Sequence, residues 1–496
     1  MIETILPSEM QRLEQAFMRE RGIPGLLLME RAALAVTDAL SRMCAASAPV
    51  LFLCGPGNNG GDGYAASRLW IGRGGRSIVW ELSGSPSGDA AANRLLAIEA
   101  GAEVSCPAET PDRLPAVGAV VDALFGTGLS RAPEGIAAGL IRLVNASGVP
   151  VLAVDIPSGL DGAAGVAPGE AVRADVTVTF HRIKAGLLLR DGCAYTGSVV
   201  CAPILIPQDW GGTPGFSVLE EKDAAALLPV RSPVSHKGSN GRCVLWVGSR
   251  GMAGAAALAA SACIRAGAGT VTVLCRGDVL PILQTLVPGA VCRVLPERDG
   301  RLTEEAARMA ADALSRANAT CAGCGIGLGE DRIPVLDAFH RAACPVVWDA
   351  DALTLLAGHP EMLPLPDKDA VTPHPGEAAR LLGRTTADIA ADPTGSLDAL
   401  QTLTGCRVIL KGPRSLMRDA RQRAVNPIGT PALAKAGSGD ILSGILTALQ
   451  ARMPVSLLPL QLACRLHACA GIRAAEKRGA DCTAPQDIVE EIRFQA

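Results

Sequence analysis

The chain has 496 residues, 49% of them hydrophobic but only 3% aromatic, so its cores must be built from Ala, Val, Leu and Ile. That length implies two or more domains. A net charge of −3 offers no basic field for nucleic acid, and the lack of a charge-free run of roughly 20 apolar residues argues against a membrane span.

The segment Met1-Ile2-Glu3-Thr4-Ile5-Leu6-Pro7 has neither a basic region nor the apolar stretch of a secretory signal. The 16 cysteines are scattered, which predicts reduced thiols in a cytoplasm. Cys321-Ala322-Gly323-Cys324 has the spacing of a zinc or redox pair, but no second pair or histidine stands nearby.

Residues 9–45 read as helix, interrupted at Gly22-Ile23-Pro24-Gly25. Val50–Cys54 is an apolar run that predicts a buried strand. It leads into the glycine-rich Gly55–Gly63, and a helix is expected to start near Tyr64. Strand, glycine loop and helix form the layout of a phosphate- or dinucleotide-binding turn, although the spacing departs from GxGxxG. Further strands are expected at Ser77–Trp80, Ala119–Asp122, Pro150–Asp155, Val176–Phe180 and Val199–Ile206, with a helix over Asp89–Ala100. In a parallel sheet the carboxyl ends of the strands share one edge. Asn59, Asp122 and Asp155 would then converge, either as ligands of a hard cation or as helix caps.

Pro207–Phe216 is a candidate linker. A second α/β series follows, with strands at Cys243–Gly248, Val271–Leu274, Val346–Trp348 and Val408–Lys411, the acids Asp349 and Asp351 after the third of these, and a glycine loop at Cys324–Gly329. His374 is fixed between two prolines, with Glu377 close by; it is a site residue or a structural one. Lys411 at a strand end either meets a phosphate or faces solvent. Ala436-Gly437-Ser438-Gly439-Asp440 opens an apolar helix whose N–H groups suit a phosphate. Asp440 is then a general base near a transferable phosphoryl group, or only an N-cap.

Taken together these motifs resemble a known family. Asn58-Asn59-Gly60-Gly61-Asp62-Gly63, Gly126-Thr127-Gly128 and Asp155-Ile156-Pro157-Ser158-Gly159 are similar to the NAD(P)H-hydrate epimerase domain. Ser235–Gly238, Gly325–Gly329, Asp349–Leu353, Thr372–Glu377, Asn426–Ala434 and Gly437–Asp440 resemble the ADP-dependent NAD(P)H-hydrate dehydratases. The resemblance implies an α/β protein, with a Rossmann-like three-layer domain over 1–212 and a ribokinase-like domain over 217–496. It further implies that the first domain interconverts the R and S hydrates of NADH and NADPH, and that the second dehydrates the S form with ADP.

Carried over residue by residue, Asn58, Asn59, Gly60, Gly61, Asp62, Gly126, Thr127, Gly128, Leu129, Ser130, Arg131, Ala132 and Asp155 would hold the hydrate in the first domain. Asn59, Asp122 and Ser158 would bind K+. In the second domain Ala255, Gly327, His374 and Asp440 would contact the hydrate. Lys411, Gly412, Pro413, Arg414, Ser415 and Gly439 would hold the nucleotide, with Mg2+ on its phosphates. Asp155 and Asp440 are the expected catalytic groups, and a homo-oligomer is the expected assembly. Two rivals stand beside this: a ribokinase-like small-molecule kinase, and a first domain reduced to a binding module.

Overall fold

The computed structural model describes residues 2–45, 47–128, 131–211 and 215–493. The chain divides into two compact units, Ile2–Phe216 and Ser217–Ala496.

The first unit is built on a parallel sheet of seven strands in the order Glu103–Ser105, Arg76–Glu81, Pro49–Cys54, Ala119–Ala123, Val151–Val154, Val176–Phe180, Ser198–Ala202. The continuous apolar runs of its central strands follow from burial on both faces. Val50, Phe52 and Cys54 pack beneath helices Pro7–Arg21, Gly25–Met43 and Asn58–Gly72, while Leu51 and Leu53 join Ile141 and Val144 of helix Gly135–Ser147. The strand predicted over Val199–Ile206 stops at Ala202. Trp210, in the candidate linker, is packed edge-on against Phe17 with ring centroids 5.1 Å apart, so the linker's first half belongs to the folded first unit.

The helix expected near Tyr64 starts six residues earlier, at Asn58. Gly60, Gly61 and Gly63 therefore lie inside a helix, where glycine is ordinarily disfavoured. The reason is contact. A Cβ on residue 60 would sit 1.9 Å from the Gly55 carbonyl oxygen, and one on residue 63 would sit 2.7 Å from the Ala123 Cβ. These glycines let the first turns of the helix press onto the edge of the sheet.

The second unit has a parallel series in the order Val291–Val294, Thr270–Cys275, Arg242–Trp246, Ala319–Ala322, Val346–Trp348, Ala370–Val371, Arg407–Leu410, extended by antiparallel Leu416–Arg418 and Arg423–Val425. Its core uses small residues in place of aromatics. Helix Ala253–Arg265 is mostly buried alanine and lies against helix Ser438–Gln450. The approach is so close that a Cβ on Gly444 would meet the Ala259 carbonyl oxygen at 2.2 Å. Among the described residues no helix is long and apolar enough to cross a membrane.

Candidate active sites

In the first unit the carboxyl ends of neighbouring strands bring Asp122 and Ser158 together. Buried Asp122 accepts hydrogen bonds from Ser158 Oγ at 2.6 Å, from the Ser158 N–H at 2.8 Å and from the Leu124 N–H at 3.3 Å. Ser158 Oγ also lies 3.2 Å from the Phe125 carbonyl oxygen. Asp122 is therefore not a helix cap. Burial raises its pKa to about 6 despite the Ser158 and Leu124 bonds that favour the charge.

Asn59 lies against the loop that follows Asp122. A Cβ on Gly126 would lie 3.0 Å from its Oδ1, and its buried amide nitrogen has no hydrogen-bond partner among the described residues. The ends of an amide are interchangeable in such an assignment, so this orphan position can equally present an oxygen. An amide oxygen, a carboxylate, a hydroxyl and a carbonyl form an oxygen-rich donor set of the kind hard cations take.

Beside this cluster, helix Asn58–Gly72 starts from Gly57 with no side-chain cap, leaving its first N–H groups open to an anion. Thr127 is held by Gln11 at 3.1 Å, and Gly128 faces open space. Arg131 is exposed, and Ala132 packs against Gly169. Leu129 and Ser130 lie outside the described residues.

Asp155 follows strand Val151–Val154 with φ of 64°, a left-handed conformation that aspartate adopts at a cost. Its Oδ1 receives Lys184 Nζ at 2.6 Å and Thr179 Oγ1 at 3.0 Å. Asp62 and Glu14 also feel this pair. Burial, aided by Asp155, pushes the Asp62 carboxyl far above the usual range, and burial takes Glu14 to about 7. Sequence reasoning missed Lys184, Thr179 and Glu14. The available signal was a cluster of basic residues, His181, Arg182 and Lys184, just after the β-branched run Val176–Thr179.

In the second unit helix Ser438–Gln450 starts from Gly437 at φ 91°, again without a side-chain cap. Asp440 is its third residue rather than its N-cap, so the capping alternative falls away. Asp440, Asp349 and Cys324 each present a ligand atom within 4.8 Å of the others. Asp349 is buried and accepts from Lys411 Nζ at 2.7 Å and from Ser443 Oγ at 2.7 Å. Burial first, then Asp349, raises Asp440 to about 6, while Cys324 and Lys411 pull the other way. Burial opposes the charge on Lys411, but Asp349 and Glu377 outweigh it and raise its pKa.

Gly439 sits over this pair, where a Cβ would be 3.2 Å from Lys411 Nζ. Gly327, at φ 82°, donates its N–H to Asp351 at 2.7 Å. Ala255 lies beside the same turn, 3.3 Å from a Cβ built on Gly325. His374 is the N-cap of helix Pro375–Leu382: Nδ1 accepts from the Gly376 N–H at 2.9 Å, and Nε2 lies 3.3 Å from Glu377. It nevertheless remains 56% exposed, so a ligand can reach it.

The Lys411 N–H donates to the Pro373 carbonyl, which brings the segment Lys411–Ser415 alongside His374. Gly412–Ser415 form the turn between strands Arg407–Leu410 and Leu416–Arg418, with Pro413 lying against Gly429. The CxxC pair holds two buried free thiols. Cys324 takes part in the acidic cluster, a role its spacing to Cys321 did not signal.

Residues 243–493 match the model of the NAD(P)H-hydrate dehydratase family, and residues 25–186 match the YjeF-related protein N-terminus. Over 99% of its length the chain is 33% identical to the bifunctional NAD(P)H-hydrate repair enzyme of Moorella thermoacetica, covering 96% of that protein. The chain belongs to the bifunctional NAD(P)H-hydrate repair enzymes. The Coxiella burnetii member of this repair family is 34% identical, with 96% of this chain and 95% of that one aligned. The Escherichia coli member is 36% identical over 84% and 78% respectively. A ribokinase-like protein from Enterococcus faecalis superposes on 56% of the chain and 94% of its own, with a TM-score of 0.50 and 25% identity. The family is therefore a Rossmann-like unit fused to a ribokinase-like one, and this chain carries both in that order.

Proposed function

We propose that the two units perform successive steps of dinucleotide repair. The first epimerises the C6 hydroxyl of hydrated NADH or NADPH. The second dehydrates the S hydrate with ADP, giving AMP, phosphate and the restored reduced dinucleotide. The observation that carries this reading is Asp440, set in the first turn of an uncapped helix and within 4.8 Å of Asp349 and Cys324.

Hydroxide is a poor leaving group and phosphate a good one. In this reading Asp440 takes the C6 hydroxyl proton as that oxygen attacks the β-phosphorus of ADP, and AMP departs. A carboxyl with a pKa near 6 is ionised at neutral pH yet basic enough to accept that proton. The N–H groups at Gly437–Gly439 face the charge on the moving phosphoryl group. The ring-nitrogen lone pair then expels phosphate, and loss of a C5 proton restores the double bond. Lys411–Ser415 and Gly439 hold the nucleotide, with Ala255, Gly327 and His374 against the hydrate.

Mg2+ on the ADP phosphates would neutralise charge there. Asp349 and Asp440 offer oxygen, but the hydrogen bond with Cys321, together with burial, keeps the Cys324 thiol protonated. The group thus fits a metal held mainly by the nucleotide rather than by a dedicated cage.

In the first unit Asn58–Asp62 and Gly126–Ala132 hold the hydrate, with its pyrophosphate against the open N–H groups of helix Asn58–Gly72. Asn59, Asp122 and Ser158 supply oxygens suited to K+, which would fix the strand-end loops. Asp155 removes the hydroxyl proton, the C6–N1 bond opens as C6 becomes a carbonyl, and the nitrogen takes up a proton. Closure on the other face of the carbonyl returns the opposite epimer.

Incubating the protein with mixed hydrate epimers and ADP, and following reduced-nicotinamide absorbance, tests the whole sequence. Complete recovery requires both units, and recovery of the S fraction alone would mean an inactive first unit. A stable phosphoester product would instead indicate a ribokinase-like kinase.

A further inference from the structure

We propose that Lys184 is a positioning residue of the epimerase site, holding the Asp155 carboxylate in one orientation against the reacting hydroxyl. This rests on the assignment of Asp155 as the epimerase base.

The geometry is specific. Lys184 is 1% exposed, so its ammonium has given up bulk water. A buried ammonium needs partners, and among the described residues it meets Asp155 Oδ1 at 2.6 Å and the Phe180 carbonyl oxygen at 3.1 Å. Thr179 Oγ1 donates to the same Oδ1 at 3.0 Å. Two donors on one oxygen lock the carboxylate and leave Oδ2 as the atom that can meet a ligand. Both donors to Asp155, Lys184 and Thr179, lie with Phe180 on the segment running from strand Val176–Phe180 into Ile183–Lys184, so one stretch of chain aims the carboxylate. Asp155 sits at φ 64°, and a strained residue is kept in place only where its surroundings over-determine it.

The charges around the pair give Lys184 a second consequence. Facing it are Asp62 from helix Asn58–Gly72 and Glu14 from helix Pro7–Arg21, with Asp155 beside it and with His181 and Arg182 on its own segment. Burial drives both Asp62 and Glu14 upward, and Lys184 lowers each of them. Three acids thus share this ammonium. Its closest contact singles out Asp155 as the one it compensates best.

The test uses the full-length protein and separates R-hydrate epimerisation from S-hydrate dehydration. Lys184→Met should lower epimerisation kcat by roughly 100-fold with little change in KM, while dehydration of the S hydrate stays at the wild-type rate. In Lys184→Ala, added ethylammonium should restore part of the lost rate. Combining Lys184→Met with Asp155→Asn should be no worse than Asp155→Asn alone, because both remove one device. Thr179→Val, a shape-conserving change, should cost less than Lys184→Met.

Epimerisation retained by Lys184→Met would overturn the inference, provided Asp155→Ala is inactive. A loss in Lys184→Ala that ethylammonium does not relieve, accompanied by early melting, would overturn it as well, by showing that packing alone is at stake. If Asp155→Ala itself still epimerised, the base assignment would fall instead.

Discussion

Lys411 Nζ and Asp349 Oδ1 lie 2.7 Å apart beneath the turn that opens helix Ser438–Gln450, and Gly439 covers them without a side chain. This ion pair sits beside the proposed base, Asp440. Asp349 raises the pKa of Asp440 and Lys411 lowers it, so the pair tunes the base as well as framing the site.

Asp440→Asn should leave hydrate and ADP binding intact and abolish dehydration. In the wild type the dehydration rate should fall below about pH 6, as the carboxylate takes up a proton. The variant should also be more stable at neutral pH. A carboxyl whose folded pKa lies above its unfolded value favours the fold while protonated and loses that advantage as pH rises through about 6. Removing the charge should therefore stabilise the unit by about 3 kcal/mol above that pH and by nothing below pH ~4. Thermal melts at pH 8 and pH 4, with substrate binding by calorimetry, check both halves.

Lys411→Gln removes the cation facing Asp349 and Glu377. The KM for ADP should rise by roughly tenfold or more, in line with the loss of a charge-assisted contact. Because Lys411 lowers the Asp440 pKa, the acid limb of the dehydration profile should move to higher pH. A pH–rate series with S hydrate reads this directly.

Gly439→Ala places a methyl group 3.2 Å from Lys411 Nζ and 3.7 Å from Asp349 Oδ2. It should weaken ADP use while leaving epimerisation unchanged, since the proposed epimerase residues belong to the other unit. Separate assays of the two activities measure the contrast.

Gly60→Ala should act through stability. Its Cβ would fall 1.9 Å from a backbone oxygen that cannot yield cheaply. A loss of about 2–3 kcal/mol or more from the first unit is expected, visible as early melting and lost epimerisation.

Asp122→Asn and Ser158→Ala each remove an oxygen or a charge from the donor set around Asn59. Wild-type epimerisation should rise with K+ and fall when Li+ replaces it, and both variants should blunt that response. Initial rates at fixed ionic strength, with the cation varied, provide the check.

The alternation of short apolar runs with glycine-bearing loops was sufficient to read two α/β series and to put Asn59, Asp122 and Asp155 on one sheet edge, because a strand buried on both faces must be apolar throughout. The motif at Gly437–Asp440 was legible for the same local reason: uncapped amides, two glycines and an acid have few structural uses together. What sequence could not decide was contact between distant segments. The roles of Gly60 and Gly63 as packing residues inside a helix depend on Gly55 and Ala123. Cys324 enters the acidic cluster only because two neighbouring strands bring it to Asp349. Lys184 reads as one more charge in the chain until strand pairing carries it inside to Asp155, far back in the sequence. Local pattern sets which segments are buried, whereas the partners of a buried charge are set by tertiary packing, where desolvation forces each ion to find its complement.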